Sequence, residues 1–478
     1  MIGDEVLRAS DGNAMWCLLV MDEHGAVTTE AVLAGGNVVD ERVKISQGRD
    51  IELAAESGEA IVLPGLEALG VDEHVTIIDQ KSCHDNCFAG ASSTVGIGFT
   101  RAPYDRFMPA LRGRVLTDTA DDLVRGVVEW DEVGITRVVT GAAGDSVQAD
   151  DVGDALVVPG IIDVHGDAFE RAVMPRNGVA IDYDLALAAN DVQLLGAGIT
   201  TAYLSATDSW EPGLRSRAML VALLEACARR AVSAPRLEIH VRHERANTDG
   251  LEQLEAWIAE GVVTMLSYND HTDHAISASQ IGRTGVSAER FEQLHAEALV
   301  RRESGVEHER RLAEVARLAS CVTASHDADT FEDLERDLAL GVAMAEFPTT
   351  IDLARRYRDH GIAVLLGAPN LVRGTSHLGN LSVREAWASG AGDLLCSDYH
   401  YPSLLAAPFC LAEHGLASMG EAWRAVSTVP ADVAGLTDRG RLAPGQLADI
   451  VVVDPPEDGR PPRVRRVVVG GETAFVGP

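Results

Sequence analysis

Leu156-Val-Val-Pro-Gly-Ile-Ile-Asp-Val-His-Gly-Asp167 is an apolar run that ends in a histidine and an aspartate two residues apart. Residues i and i+2 of a strand share a face, so His165 and Asp167 are expected to project together from a strand's C-terminal end. An imidazole beside a carboxylate in such a place is the beginning of a metal site. What the protein does then depends on whether other strand ends supply further ligands.

Eight apolar runs alternate with helical stretches downstream: Ile161–Val164, Gly198–Leu204, Leu237–Val241, Val262–Ser267, Cys321–Ser325, Val342–Ala345, Ile362–Leu366 and Asp393–Cys396. This alternation predicts an α/β fold built as a (β/α)8 TIM-type barrel, whose chemistry sits at the C-terminal ends of the strands. The first run ends in His165 and Asp167, the third in His240, Arg242, His243 and Glu244, and the fourth in Asp270 and His271. The fifth ends in His326 and Asp327, the sixth in Glu346, the seventh in Asn370 and the eighth in Asp398. Any one of these is readily a satisfied structural group, but seven polar ends out of eight point to a site. Arg283 to Ser320 interrupts the alternation at helical spacing and is expected to add a helical pair over one barrel end.

At 478 residues the chain exceeds a barrel of about 250 residues. Residues 156–435 are assigned to the barrel, and 1–110 to an appended α+β region with strands near Trp16–Met21 and Ile61–Pro64. Short strands at hairpin spacing fill 111–155. The formal charge is −33, which argues against a nucleic-acid or anionic-membrane partner, since both require clustered basic charge. No apolar run approaches the roughly 20 residues of a bilayer span, and the N-terminus lacks a signal-peptide pattern, so a cytoplasmic protein is expected, with a homo-oligomer an open option. Seven irregularly spaced cysteines do not suggest a disulfide framework. Cys83, His84 and Cys87 group three soft ligands, yet no second knuckle completes a zinc site.

Longer motifs carry a family resemblance. They are Pro159-Gly-Ile-Ile-Asp-Val-His-Gly-Asp167, Gly198-Ile-Thr-Thr201, Asp270-His-Thr272, Ala324-Ser-His-Asp-Ala-Asp-Thr330, Ala345-Glu-Phe-Pro-Thr-Thr350, Gly367-Ala-Pro-Asn-Leu-Val-Arg-Gly-Thr-Ser-His-Leu-Gly-Asn380 and Ser397-Asp-Tyr399. In these the chain from about 111 onward resembles the α-D-ribose 1-methylphosphonate 5-triphosphate diphosphatase family of the metal-dependent amidohydrolase superfamily, which serves phosphonate catabolism. The resemblance implies that 111–155 and 440–478 form one discontinuous β-sandwich. It also implies a metal-dependent hydrolase that releases pyrophosphate from a small phosphorylated substrate. The chain departs from the family in Asp270-His-Thr-Asp-His-Ala-Ile-Ser-Ala278, in His243, and in its first 110 residues. The carbamylated lysine with which many amidohydrolases bridge two metals is ruled out, because no Lys follows Lys81.

Imidazole and oxygen donors suit one or two divalent ions, Zn²⁺ first, with Mn²⁺ or Fe²⁺ as alternatives. His165, Asp167, His326 and Asp398 are the first-choice ligands, followed by His271 and then Glu244, which would replace the absent carbamate bridge. Catalysis is assigned to Asp398 and His326, with Asp398, by family analogy, taking the proton from water. Arg373 and His377, with Asn370 and Asn380 as neutral donors, are candidates for binding phosphates, and Arg171, Arg176 and Arg242 stand behind them. The alternatives are hydrolysis of a C–N bond in an amide, cyclic amide or amino-heterocycle, and a metal-free structural relative.

Overall fold

The computed structural model describes residues 108–117, 122–230, 235–272, 276–374 and 381–478, together with five short strands in the first hundred residues. Residues 61–64, Cys83, His84, Cys87, His377 and Asn380 lie outside the described residues. Met1–Tyr104 and Asp105–Pro478 are two compact units. In the first, Met15–Met21 pairs antiparallel with Val27–Leu33, which pairs with Val43–Ile45, and Ile77–Ile78 pairs with Gly96–Ile97.

In the second unit, eight parallel strands follow one another in sequence order: Ile161–Gly166, Ile199–Asp208, Arg236–Glu244, Met265–Asn269, Val322–His326, Met344–Glu346, Ala363–Gly367 and Leu394–Cys396. These are barrel strands 1 to 8, and each coincides with one of the apolar runs. Both faces are buried, which is why the runs read as nearly continuous apolar sequence. Ile162, Val164, Tyr203, Met265, Ala324, Met344, Leu365 and Leu394 fill the interior, and Ala431 of the helix Thr428–Val433 packs into the same cluster. Their neighbours Ile161, Leu204, Leu266, Ala345, Leu366 and Leu395 face outward into the layer beneath the surrounding helices.

Strand 8 closes on strand 1 at the C-terminal end. Gly166 and Asp398 form a parallel bridge, in which Asp398 N–H donates to His165 O at 3.0 Å and Asp167 N–H to Asp398 O at 2.9 Å. Asp163, fully buried, adds a side-chain staple: its carboxylate accepts from Ser397 N–H at 3.0 Å and from Ser397 Oγ at 2.5 Å. A Cβ on Gly166 would come within 2.7 Å of Asp163 Oδ2, so only glycine fits there.

Strands Ala110–Val115, Val124–Trp130, Ile135–Thr140 and Asp150–Pro159 join Ile450–Asp454, Arg463–Val469 and Glu472–Val476 in one seven-stranded mixed sheet. The segments that precede and follow the barrel meet where Asp150–Pro159 runs antiparallel to Ile450–Asp454, with Leu156 opposite Val453. Alternation splits this sheet between two cores. Val157, Ile450 and Val452 join Leu111, Val128 and Trp130, whereas Val158, Val451 and Val453 pack into the main core that contains the barrel's outer layer.

The interruption after strand 4 is a pair of helices of unequal length, the short helix Ala278–Thr284 and the 32-residue helix Ala288–Ala319. Ser277 and Gln280 form a capping box that fixes where the short one starts. Among the described residues no helix is long and apolar enough to cross a membrane.

The Asp163 staple is open to test. Asp163→Ala leaves two Ser397 donors buried without an acceptor and is expected to lower stability by about 2 to 3 kcal/mol, read as a shifted urea midpoint for the barrel transition. An unchanged midpoint would show that the strand 1 to strand 8 seam is held by backbone alone.

Candidate active site

Inward-facing positions at the strand ends carry the site. On strand 3, Ile239 and Val241 face the outer layer, so alternation turns His240, Arg242 and Glu244 into the barrel mouth. Strand 6 places Met344 inward, and therefore Glu346, its last residue. By the same parity His165 would share the outward face of Ile161 and Asp163. A register shift between Asp163 and Gly166 breaks the alternation and brings His165 into the mouth. Strand 1 also ends at Gly166, so Asp167 follows the strand and is not paired with His165 on one strand face.

Two clusters of metal-binding groups result, each with its donor atoms within 4.8 Å of one another: His165, His240 and Glu346, and His271, His326 and Asp327. His165 Nδ1 lies 2.7 Å from Glu346 Oε1, and His240 Nε2 lies 3.7 Å from the same oxygen. The clusters adjoin, with the His165 and His326 rings 5.3 Å apart and those of His326 and His271 5.5 Å apart. Phe347 stands edge-on to both His165 and His326 and walls them off on one side.

The donor set fits a divalent ion. His240 Nε2 and Glu346 Oε2 are buried without a hydrogen-bond partner among the described residues, a costly state unless something else binds there, and His326 Nδ1 faces only the Asp327 carboxylate at 3.0 Å. Burial holds the imidazoles of His240 and His326 down at about 3 and about 4, and burial with the nearby Arg242 charge pushes His165 well below the usual histidine range. All three are therefore neutral near pH 7, the form that ligates metal. His240 Nδ1 donates to Val164 O at 3.1 Å, which fixes its ring with Nε2 toward Glu346. His271 differs: burial opposes its charged form, but Glu244 and Asp327 outweigh burial and raise it to about 9.

Several sequence assignments change place. Glu244 does not bridge the clusters; its carboxylate accepts from His271 Nδ1 at 2.6 Å and from His271 N–H at 3.1 Å, so it orients that ring. Glu346 is the carboxylate that shares a cluster with His165 and His240. Asp167 stands outside both clusters and faces guanidinium groups, Arg242 at 3.6 Å and Arg215 at 4.0 Å. Asp398 is also outside them, joined to strand 1 through its backbone; burial and the Asp167 charge lift its carboxyl to about 7.

A cleft of about 250 Å³ opens beside the clusters, and among its lining residues are Arg215, Arg242, Arg283, Glu211, Glu244 and His271. Arg242 is 7% exposed and its Nε has no partner. Arg373 does not line this cleft. It is exposed at the far end of the helix Ala368–Arg373, which carries it away from the mouth of strand 7 by about 1.5 Å per residue. Arg176 is exposed in a turn closed by its bridge to Val179, and Arg171 donates to Tyr399 O at 2.6 Å. Asn370, in the first turn after strand 7, keeps a buried Oδ1 without a partner. His240, Glu346 and Asp327 were visible as strand ends but not as ligands, and Arg215 and Arg283 carried no sequence signal of their own.

A model of an amidohydrolase family matches residues 274–475. The chain is 30% identical over 312 residues to the α-D-ribose 1-methylphosphonate 5-triphosphate diphosphatase of Escherichia coli (strain K12), covering 62% of this chain and 82% of that protein. Among solved structures, a Xaa-Pro dipeptidase with bound methionine aligns at a TM-score of 0.53 and 14% identity, over 77% of this chain and all of the other. The guanine deaminase of E. coli aligns at 0.51 and 16%, again over 77% and 100%. At these identities the structures share the fold.

The cluster geometry predicts which substitutions matter. His240→Ala and Glu346→Gln are each expected to weaken metal binding by more than the roughly 10- to 100-fold that an outer-shell change costs, and Arg176→Ala to leave it unchanged. Competition against a chelator checks this, and equal affinity in all three variants would place the metal elsewhere.

Proposed function

This chain belongs to the amidohydrolase family, and from that premise we propose that it is a divalent-metal-dependent diphosphatase, acting on a phosphoric anhydride of a phosphorylated sugar and releasing pyrophosphate. The observation that carries the reading is the guanidinium cleft against the metal-binding clusters, on a chain whose net charge is −33. An acidic protein that buries Arg242 with an unpartnered Nε, in one cleft with Arg283 and with Arg215 held by Glu170, has a local reason to attract an anion. The E. coli relative, by its name, acts on a sugar triphosphate.

His165, His240 and Glu346 would hold the metal, with His326, Asp327 and His271 as a second set in which His271 would first have to give up its proton. When bound, it supplies Lewis acidity toward a phosphoryl oxygen and toward water. Asp398, lifted to about 7, is matched to accept the proton as water attacks the α-phosphorus. As the bond from that phosphorus to the β-phosphate oxygen breaks, Arg242 opposes the charge gathering on the non-bridging oxygens, and Arg215 and Arg283 receive the departing pyrophosphate. Asp167 holds Arg242 from the other side.

Arg242→Ala is expected to lower pyrophosphate release from ribose 5-triphosphate by roughly 100-fold, about 3 kcal/mol for one charge-stabilising donor, with metal content unchanged. Chelation should abolish turnover, and Zn²⁺ or Mn²⁺ restore it. A metal-loaded protein that hydrolyses amides or cyclic amides and no triphosphate overturns the diphosphatase reading and leaves the metal-dependent hydrolase.

A further inference from the structure

The cleft contains a group that an anion site alone does not need. Glu211 is 7% exposed and lines the same cavity as the three arginines, where a carboxylate repels phosphate. One of its oxygens is committed, since Glu211 Oε1 accepts from Gln280 Nε2 at 2.5 Å. The other, Oε2, is buried with no partner among the described residues. It lies 3.8 Å from Arg283 Nε, too far for a hydrogen bond, and that Nε is unpartnered as well. Thr207, 6% exposed, adds a third unpartnered atom, its Oγ1, to the lining.

Nothing about this carboxylate's position is loose. Ser209 N–H donates to Arg215 O at 2.9 Å and Glu211 N–H to Ser209 Oγ at 3.1 Å, so the loop is tied at its base. Gly213, at φ +79°, lies where a Cβ would come within 2.6 Å of Arg283 O, which presses the loop against the helix Ala278–Thr284 without slack. A buried acceptor held this rigidly costs free energy unless a donor reaches it. Phosphate oxygens near pH 7 are acceptors and do not meet that need. A hydroxyl does, because it donates to the carboxylate and accepts from the guanidinium or the threonine.

We propose that Glu211, with Thr207 and Arg283, forms a hydroxyl-reading subsite that binds a sugar hydroxyl of the molecule whose phosphates the arginines hold. This deepens the diphosphatase reading and rests on it: the substrate is a polyhydroxylated phosphate ester, and inorganic polyphosphate, which offers the carboxylate no donor, is disfavoured. Glu211 acts in binding and takes no part in bond cleavage.

The test is pyrophosphate release by the metal-loaded full chain from ribose 5-triphosphate and from its 2-deoxy and 3-deoxy counterparts. For the unaltered protein at least one deoxy substrate is expected to lose about 10- to 100-fold in kcat/KM, chiefly through KM, as a hydrogen bond to a charged group is removed. In Glu211→Ala that penalty should shrink to within about 3-fold, because the ribose substrate has then lost what the deoxy one already lacked. Glu211→Gln, which keeps an acceptor, should restore part of it, and it serves in place of the alanine variant if that one does not fold. Equal turnover of all three substrates by the unaltered protein overturns the subsite. So does a parallel loss in the variant that preserves the ratio, since that is the mark of a structural residue. If no triphosphate is cleaved at all, the diphosphatase reading falls and the subsite with it, an outcome separate from the other two.

Discussion

The structure depends on the seam between barrel strands 1 and 8. Seven of the eight neighbour relations in the barrel are parallel ladders between consecutive strands, regular except for the register shifts between strands 1 and 2, and the eighth is a short bridge at Gly166 and Asp398 backed by the Asp163 carboxylate. The seam lies at the end where chemistry is expected, and it fixes several groups at once. His165, Asp167 and Asp398 are all joined by its backbone hydrogen bonds. Asp163 resists ionisation for the same reason that it is useful: burial raises its carboxyl to about 6, while Ser397 and the His165 N–H pull it back. The side chain that closes the barrel thus stands at the start of the register shift, where it also accepts from His165 N–H at 3.4 Å.

Backbone strain marks the same end of the barrel. Five described non-glycine residues have positive φ, and three of them follow barrel strands: Asp327 at +56°, Phe347 at +57° and Asp398 at +53°. Such conformations cost on the order of 1 kcal/mol or more each and persist where the surroundings over-determine them. Here each one redirects the chain directly after a cluster residue or at the seam. Asp327 reaches back to His271 and His326, and Phe347 closes against His165 and His326. Arg242 adds an electrostatic constraint, because its charge is one of the causes that hold His165 and His326 neutral.

The barrel was legible because each buried strand is a separate apolar run bounded by helix-forming sequence, so eight runs translate into eight strands. The strand ends were legible as a set for the same reason. Ligand identity was not, because it depends on which way each end faces. The outward neighbours of His240 and the inward Met344 below Glu346 are facts of packing, and the shift before Gly166 is invisible to a period-two reading. Arg373 was drawn in by its glycine-rich motif, yet a helix of six residues separates it from the strand end. Arg215 and Arg283 sit on segments with no barrel periodicity, and only folding brings them beside Arg242.

The glutamates show how one side-chain type is divided among roles by its surroundings. Glu346 meets two neutral imidazoles and keeps one oxygen unpartnered, so it is available to a cation. Glu244 is also buried, but His271 sits on it, and although burial opposes its ionisation, that partner and Arg242 draw it down to about 2, leaving it an orienting anion. Glu211 meets an amide on one oxygen and an arginine beyond hydrogen-bonding reach on the other, which suits a neutral donor. No lysine follows Lys81, so no carbamylated lysine stands among these groups. Strand 6 ends after three residues, and its last side chain faces inward between His165 and His240, so the short strand alone sets Glu346 against both imidazoles.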